Sequence, residues 1–301
     1  MTLDILVPFW GDPALLRACV RSVLEQTDAD WRLLVVDDCY PDDTVAPWVE
    51  GLGDSRVGYV RNETNLGITD NYRRCLDLAV HDWMVFLGCD DLLLPDYVAT
   101  VRAAVDRYAG DEAVDIVQPG VRVVDEHGER VRPLADVVKR RLFQPRLDGP
   151  TVLHGEDLAV SLLRGNWLYW PSLAFRTESL RRQSFLDGFP LVQDLALVLD
   201  LTMAGSRLLV LPDEVFAYRR HAASASSATL VKGGRFAGEH EYFAIAARRC
   251  QERRWPRGAS AARAHLASRI HAASLVPAAL RARQWSSALK LAHHTMRRSL
   301  R

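Results

Sequence analysis

Four times within the first 108 residues, a short apolar run is followed by a segment with helical spacing, and this alternation limits the fold more than any other feature. Residues 3–9, 31–36, 57–60 and 83–87 read as buried strands. Residues 14–26, 44–52, 72–80 and 95–108 read as helices. In the first of these, Leu15, Leu16, Cys19, Val20, Val23 and Leu24 share one face, with Asp12 as cap and Pro13 in the first turn. Buried strands joined by helices require a parallel sheet with right-handed crossovers. Polar residues cluster just beyond the strands: Asp37-Asp38 after the second, residues 62–65 after the third, and Asp90-Asp91 after the fourth. Ligands bind outside the carboxyl ends of strands in open α/β sheets, so a ligand site is expected there.

Beyond residue 110 the pattern changes. Residues 115–132 read as a β-hairpin turning at Glu126-His127-Gly128. Residues 133–155 hold Pro133, Pro145, Gly149 and Pro150 with few periodic apolar positions, so a long loop is expected, able to act as a lid. A helix at 156–164, a strand at 173–176, a helix at 193–203 and a strand at 207–211 follow. The end of the chain reads as three helices with mixed apolar and basic faces. The expected organisation is an α/β sheet with its ligand-binding half at 1–110, a second half at 111–230, and a helical extension at 231–301.

Hydrophobic residues at 49% and charged residues at 25% are an ordinary globular balance that argues against disorder. The net charge is zero but unevenly spread: from Arg248 to Arg301 there are thirteen Lys or Arg against Glu252 alone. That tail carries about +12 and the first 247 residues about −12, unlike a uniformly basic nucleic-acid binder. The basic face of the tail has three readings: a solvated surface, a peripheral contact with anionic lipid headgroups, or contact with the acidic half or a second subunit. Five isolated cysteines with no metal-ligand spacing read as reduced thiols of a cytoplasmic protein. No basic n-region opens the sequence, and no stretch approaches the roughly 20 apolar residues that cross a bilayer.

Four constellations can carry chemistry. Asp90-Asp91, after an apolar strand and Gly88, is either a helix cap or a holder of a hard divalent cation, which takes oxygen ligands. Asp37-Asp38 can accept hydrogen bonds from a ribose hydroxyl or a base N–H. Asp194, opening an apolar helix, either favours the helix N-terminus through its dipole or serves as a general base. Tyr218-Arg219-Arg220-His221, followed by Ser224 and Ser226, is either a polar loop or a set of groups for a metal and for phosphate.

In their order these motifs resemble the family-2 glycosyltransferases, which have the GT-A fold. Val7-Pro8-Phe9-Trp10 is similar to the family's VPxYN start, and residues 21–27, RSVLEQT, to its S(I/V)LxQT helix. Residues 35–44 resemble VVDDGSxDxT, Asn65-Leu66-Gly67-Ile68 matches NxGI, and residues 86–91 look like the LGSDD variant of the DxD motif. Gln193-Asp194 occupies the place of ED, and residues 212–226 resemble LPE…YRxHxxS. The resemblance covers roughly residues 3–226.

What it implies is an inverting glycosyltransferase that uses Mg²⁺ or Mn²⁺ and a nucleoside-diphosphate sugar (UDP-, dTDP- or GDP-linked). Pro8, Phe9 and Trp10, with Asn65 and Gly67, would line the nucleotide pocket, and Asp38 would bond the base. Asp90 would face the donor as principal metal ligand, with Asp91 and His221 beside it. Arg219, Arg220 and Ser226 would meet the diphosphate, and Asp194 would deprotonate the acceptor hydroxyl. Trp167, Tyr169, Trp170 and Gln193 are candidates for the acceptor, which could be a glycan, a lipid-linked sugar or a small natural product. Gly88 stands in place of the first Asp of DxD, Gln193 in place of Glu, and Cys39-Tyr40 in place of Gly-Ser. A non-catalytic nucleotide-sugar-binding protein or scaffold on the same fold is the rival reading. A nucleotidyltransferase would want a glycine-rich basic phosphate loop after the first strand, which residues 8–12 are not.

Overall fold

The computed structural model describes residues 1–110, 113–146, 148–189, 192–220 and 235–296. The alternating half forms β1 (Leu3–Phe9), α1 (Pro13–Leu24), β2 (Trp31–Asp37), α2 (Val45–Glu50), β3 (Val57–Arg61), α3 (Ile68–Leu78) and β4 (Trp83–Phe86). These four strands are parallel, in the order β3-β2-β1-β4. Helix α1 starts where expected: the Asp12 carboxylate accepts from the Ala14 N–H at 2.8 Å, and Pro13 occupies the first turn.

Strand side chains alternate between two cores, as the pleat requires. Leu3, Ile5, Val7 and Phe9 pack with Leu16, Cys19, Val20 and Val23 of α1, while Leu6, Leu34 and Val36 pack on the opposite face with Tyr72, Cys75 and Leu76 of α3. Each fully buried side chain of this size contributes about 1.5–3 kcal/mol.

After the short β5 (Leu92–Leu93) and α4 (Tyr97–Arg107), the sheet continues through β6 (Ile116–Val124), β8 (Ala174–Arg176) and β9 (Leu208–Arg219). β8 runs antiparallel to β4 and β6, whereas β6 and β9 are parallel. Among the described residues the result is a mixed nine-stranded sheet flanked by helices, with β5 and β7 (Thr151–Leu153) antiparallel to β9.

Three expectations need correction here. The 115–132 hairpin is reduced to one bridge, Val124 to Arg130, because β6 pairs instead with β8 and β9. The expected loop at 133–155 holds α5 (Leu134–Phe143) and β7, with Pro133 preceding the helix rather than breaking it. The strand expected at 207–211 runs on through Pro212 to Arg219. A proline cannot donate to a ladder, but the register shifts opposite it, between Gln118 and Gly120. A Cβ at Gly120 would stand 2.6 Å from the Pro212 carbonyl oxygen, so only glycine allows this approach.

Helices α6 (Gly155–Arg164), α7 (Thr177–Arg181) and α8 (Gln193–Met203) complete the second half. Four helices follow among the described residues, one more than the sequence suggests: α9 (Arg235–Glu252), α10 (Pro256–Ala264), α11 (Leu266–Arg281) and α12 (Trp285–Met296). Tyr242, Ala246 and Cys250 of α9 and Ala259 and Ala262 of α10 join the core over α6 and α8. Arg257 of α10 also pairs with Glu156 at 3.2 Å and Asp157 at 2.8 Å on α6.

Candidate active site

Two loops meet beyond the carboxyl ends of β1 and β2. The Asp38 N–H donates to the Phe9 carbonyl at 3.0 Å, tying the two strand ends together. Asp37 is fully buried and accepts from the Tyr40 N–H at 2.7 Å, the Tyr59 hydroxyl at 2.5 Å and Arg61 Nη1 at 3.2 Å. Asp38 is equally engaged. Its Oδ1 accepts from Asn62 Nδ2 at 2.9 Å and the Leu66 N–H at 2.8 Å, and its Oδ2 from the Gly67 N–H at 2.9 Å. Three of the roughly four acceptor positions of this buried carboxylate are thus taken. Gly67 has φ of +82°, a conformation that glycine adopts without strain, and it turns the chain into α3.

Cys39, where glycine is usual, also takes a left-handed conformation, at φ +61°. The turn is therefore kept at the cost of strain. Trp10 is half-exposed and its ring stands edge-on to Tyr40, with centroids 5.4 Å apart. Together they form an aromatic rim over the strand ends, on which a flat base can stack.

The second carboxylate pair has different surroundings. Asp91 is buried, and its Oδ1 accepts the Arg219 backbone N–H at 2.8 Å. Burial first, and then the charge of Asp90, push its carboxyl well above the usual range. Asp90 is half-buried. Gly88 explains how both fit: a Cβ there would lie 2.5 Å from Asp91 Oδ2 and 3.1 Å from Asp90 Oδ1. Both carboxylates fold back over the glycine, into the space that an aspartate side chain at 88 would need.

Asp194 lies in the first turn of α8 and its Oδ2 accepts from Asn166 Nδ2 at 2.9 Å. The preceding Gln193 is buried, and its Oε1 accepts from the Thr69 hydroxyl at 2.9 Å. That bond joins the start of α8 to the start of α3, two residues past Gly67.

Comparison with known proteins agrees with this architecture. The family described as glycosyl transferase family 2 matches residues 4–155, half of the chain. The chain belongs to glycosyl transferase family 2. Over 238 residues it is 28% identical to the uncharacterized protein MT1568 of Mycobacterium tuberculosis, covering 75% of this chain and 69% of that protein. Over 118 residues it is 33% identical to a PGL/p-HBAD biosynthesis glycosyltransferase of Mycobacterium bovis, covering 38% of this chain and 44% of that protein. Among solved structures, S. aureus TarS 1-349 in complex with UDP-GlcNAc aligns with a TM-score of 0.62 at 16% identity. That alignment covers 81% of this chain and 66% of TarS 1-349. At such identity the likeness shows the fold, the GT-A fold expected from the motifs.

Several site residues expected of this glycosyltransferase take other roles. The Phe9 ring is fully buried in the α1 core; Pro8 is half-buried, and Asn65 is exposed. Trp167, Tyr169 and Trp170 are core residues, which corrects their reading as an acceptor platform. Trp170 stacks on Phe86 with centroids 5.5 Å apart, and the Trp167 indole N–H donates to Ser161 at 2.9 Å. Arg219 is buried, and its guanidinium donates to the backbone carbonyls of Asp90, Asp125 and Glu126. These bonds hold the loops around the carboxylates together.

Arg220 forms a two-pronged pair with Asp136, both contacts at 3.0 Å. Asp136, whose carboxyl this pair holds low against the effect of burial, also accepts the Tyr169 hydroxyl at 2.9 Å. One helical turn on, Lys139 donates to the Leu168 carbonyl at 2.7 Å and lies 4.0 Å over the Tyr169 ring. Burial lowers its ammonium to about 8, partly offset by Asp136 and Asp194. Helix α5 therefore brings charge close to Asp194. His221 and Ser226 lie outside the described residues. Among the described residues no three His, Cys, Asp or Glu side chains group as a metal site.

Proposed function

We propose that this glycosyltransferase moves a sugar from a nucleoside-diphosphate donor to an acceptor hydroxyl in a single displacement with inversion. The reading is supported by membership of glycosyl transferase family 2 and by Asp194 at the start of α8, where the neighbouring Gln193 is bonded to Thr69 just past Gly67. On this reading the candidate base and the strand-end carboxylates serve one site. Asp38 and the Trp10–Tyr40 rim take the nucleotide, and the UDP-GlcNAc held by TarS 1-349 on the same fold favours a uridine nucleotide. Asp194 accepts the hydroxyl proton, held in orientation by Asn166. The acceptor oxygen forms a bond to the anomeric carbon as the bond to the diphosphate oxygen breaks, and the diphosphate leaves with the electron pair.

The donor set fits Mg²⁺ or Mn²⁺. Two carboxylate side chains converge over Gly88, and a hard divalent cation takes oxygen ligands of this kind. Asp90 and Asp91 would hold the ion, which when bound stabilises the charge gathering on the leaving diphosphate. The test is Asp194→Asn. Transfer should fall by about 10²–10⁴-fold while donor affinity is kept, and full turnover in this variant would refute the assigned base.

A further inference from the structure

The last two helices present apolar side chains to solvent in a regular order. On α11, Leu266, Ile270, Ala273, Pro277 and Leu280 are all exposed, at spacings of four, three, four and three residues. That spacing places them in one stripe along the helix. Ser268, Ala272 and Ala279, on the opposite side of the helix, are buried. The stripe is thus the outward face of a helix whose inward face is already used. Helix α12 repeats the pattern: Trp285, Leu289 and Met296, four and seven residues apart, are 63%, 72% and 75% exposed.

The charge around these stripes has one sign. From Arg253 to the last residue the sequence has eleven Lys or Arg and no Asp or Glu. Arg281 and Arg283, between the two stripes, and Lys290 on α12 are exposed. A second copy of this hairpin would bring the same positive charge against itself. An anionic bilayer surface offers the opposite charge together with an apolar layer for the stripes, and tryptophan settles at that boundary. No helix of the described residues is long and apolar enough to cross a membrane, so the contact lies along the surface.

We infer that the α11–α12 hairpin is a docking surface for anionic phospholipid bilayers, with its two apolar stripes in the headgroup boundary and its arginines among the phosphates. This surface is independent of the donor-site assignment. It places the glycosyltransferase at a lipid surface, where a membrane-borne acceptor would be found.

The test is flotation of the full chain with vesicles of phosphatidylcholine alone and of phosphatidylcholine with about 30 mol% phosphatidylglycerol, at about 0.05 M and about 0.5 M salt. Partition into the anionic vesicles should be roughly tenfold higher at low salt and should fall at high salt. The double variant Trp285→Ser, Leu289→Ser should lose that partition. So should the triple variant Arg281→Gln, Arg283→Gln, Lys290→Gln, which alters exposed charges alone. Unchanged circular dichroism and melting confirm that each variant is folded. Equal, weak binding to both vesicle types at low salt would overturn the proposal. So would a concentration-dependent dimer that the same double variant abolishes, because the stripes would then serve a second copy of the chain.

Discussion

Asp37-Asp38 and Asp90-Asp91 are the same dipeptide beyond two parallel strands of one sheet, and the fold treats them in opposite ways. The first pair receives six donors, three on each side chain, from Tyr40, Tyr59, Arg61, Asn62, Leu66 and Gly67. Its charge is absorbed into the loops beyond β1 and β2. In the second pair Asp91 takes a backbone N–H from Arg219, while the Arg219 guanidinium turns to carbonyl oxygens instead. Burial, and then the charge of Asp90, push the Asp91 carboxyl up. Adjacent carboxylates at a strand end are therefore not one kind of site. One pair is bonded into its loops, and the other folds back over Gly88, where we propose that it holds a cation.

Substitutions separate the two roles. Asp38→Ala leaves three donors without their acceptor and should lower stability by about 2–5 kcal/mol in urea unfolding. A change of under about 0.5 kcal/mol would remove the scaffold role of this pair. Gly88→Ala inserts a methyl group into the space of the Asp91 carboxylate and should cost about 1–3 kcal/mol, with weaker Mn²⁺-dependent donor binding. An unaltered melting point and unaltered metal response would mean that the carboxylates do not depend on this glycine. Cys39→Gly relieves a left-handed residue and should stabilise the protein by about 1 kcal/mol, seen as a higher melting temperature.

The parallel half was legible because its signals are local. Buried strands and amphipathic helices repeat in the periodicity of residues 3–108, and fold rules then put Asp38 and Asp90 at the strand ends. The second half was not legible in this way. β9 passes through Pro212 only because Gly120 faces it from another strand, which no local pattern reveals. Helix α5 was hidden by flanking prolines, and with it Asp136 and Lys139. Asn166, the partner of Asp194, sits in Gly165-Asn166-Trp167 with no periodic context. The aromatic run 167–170 shows how an apolar residue type leaves its direction open: these rings fill the core instead of facing a sugar. For Arg219, residue type suggested phosphate, and nothing in the local sequence shows that its guanidinium also bonds three loop carbonyls.

The central claim is that Asp90 with Asp91 makes donor binding depend on a divalent cation. Isothermal titration of a uridine-diphosphate sugar, with Mn²⁺ and then with a chelator, tests it directly in the native protein and in Asp90→Ala. The native protein should bind roughly tenfold or more tightly with Mn²⁺, a difference of about 1.4 kcal/mol or more, and Asp90→Ala should lose that gain while its melting point holds. Equal affinity with and without the metal in the native protein, or a full metal response in Asp90→Ala, would contradict it.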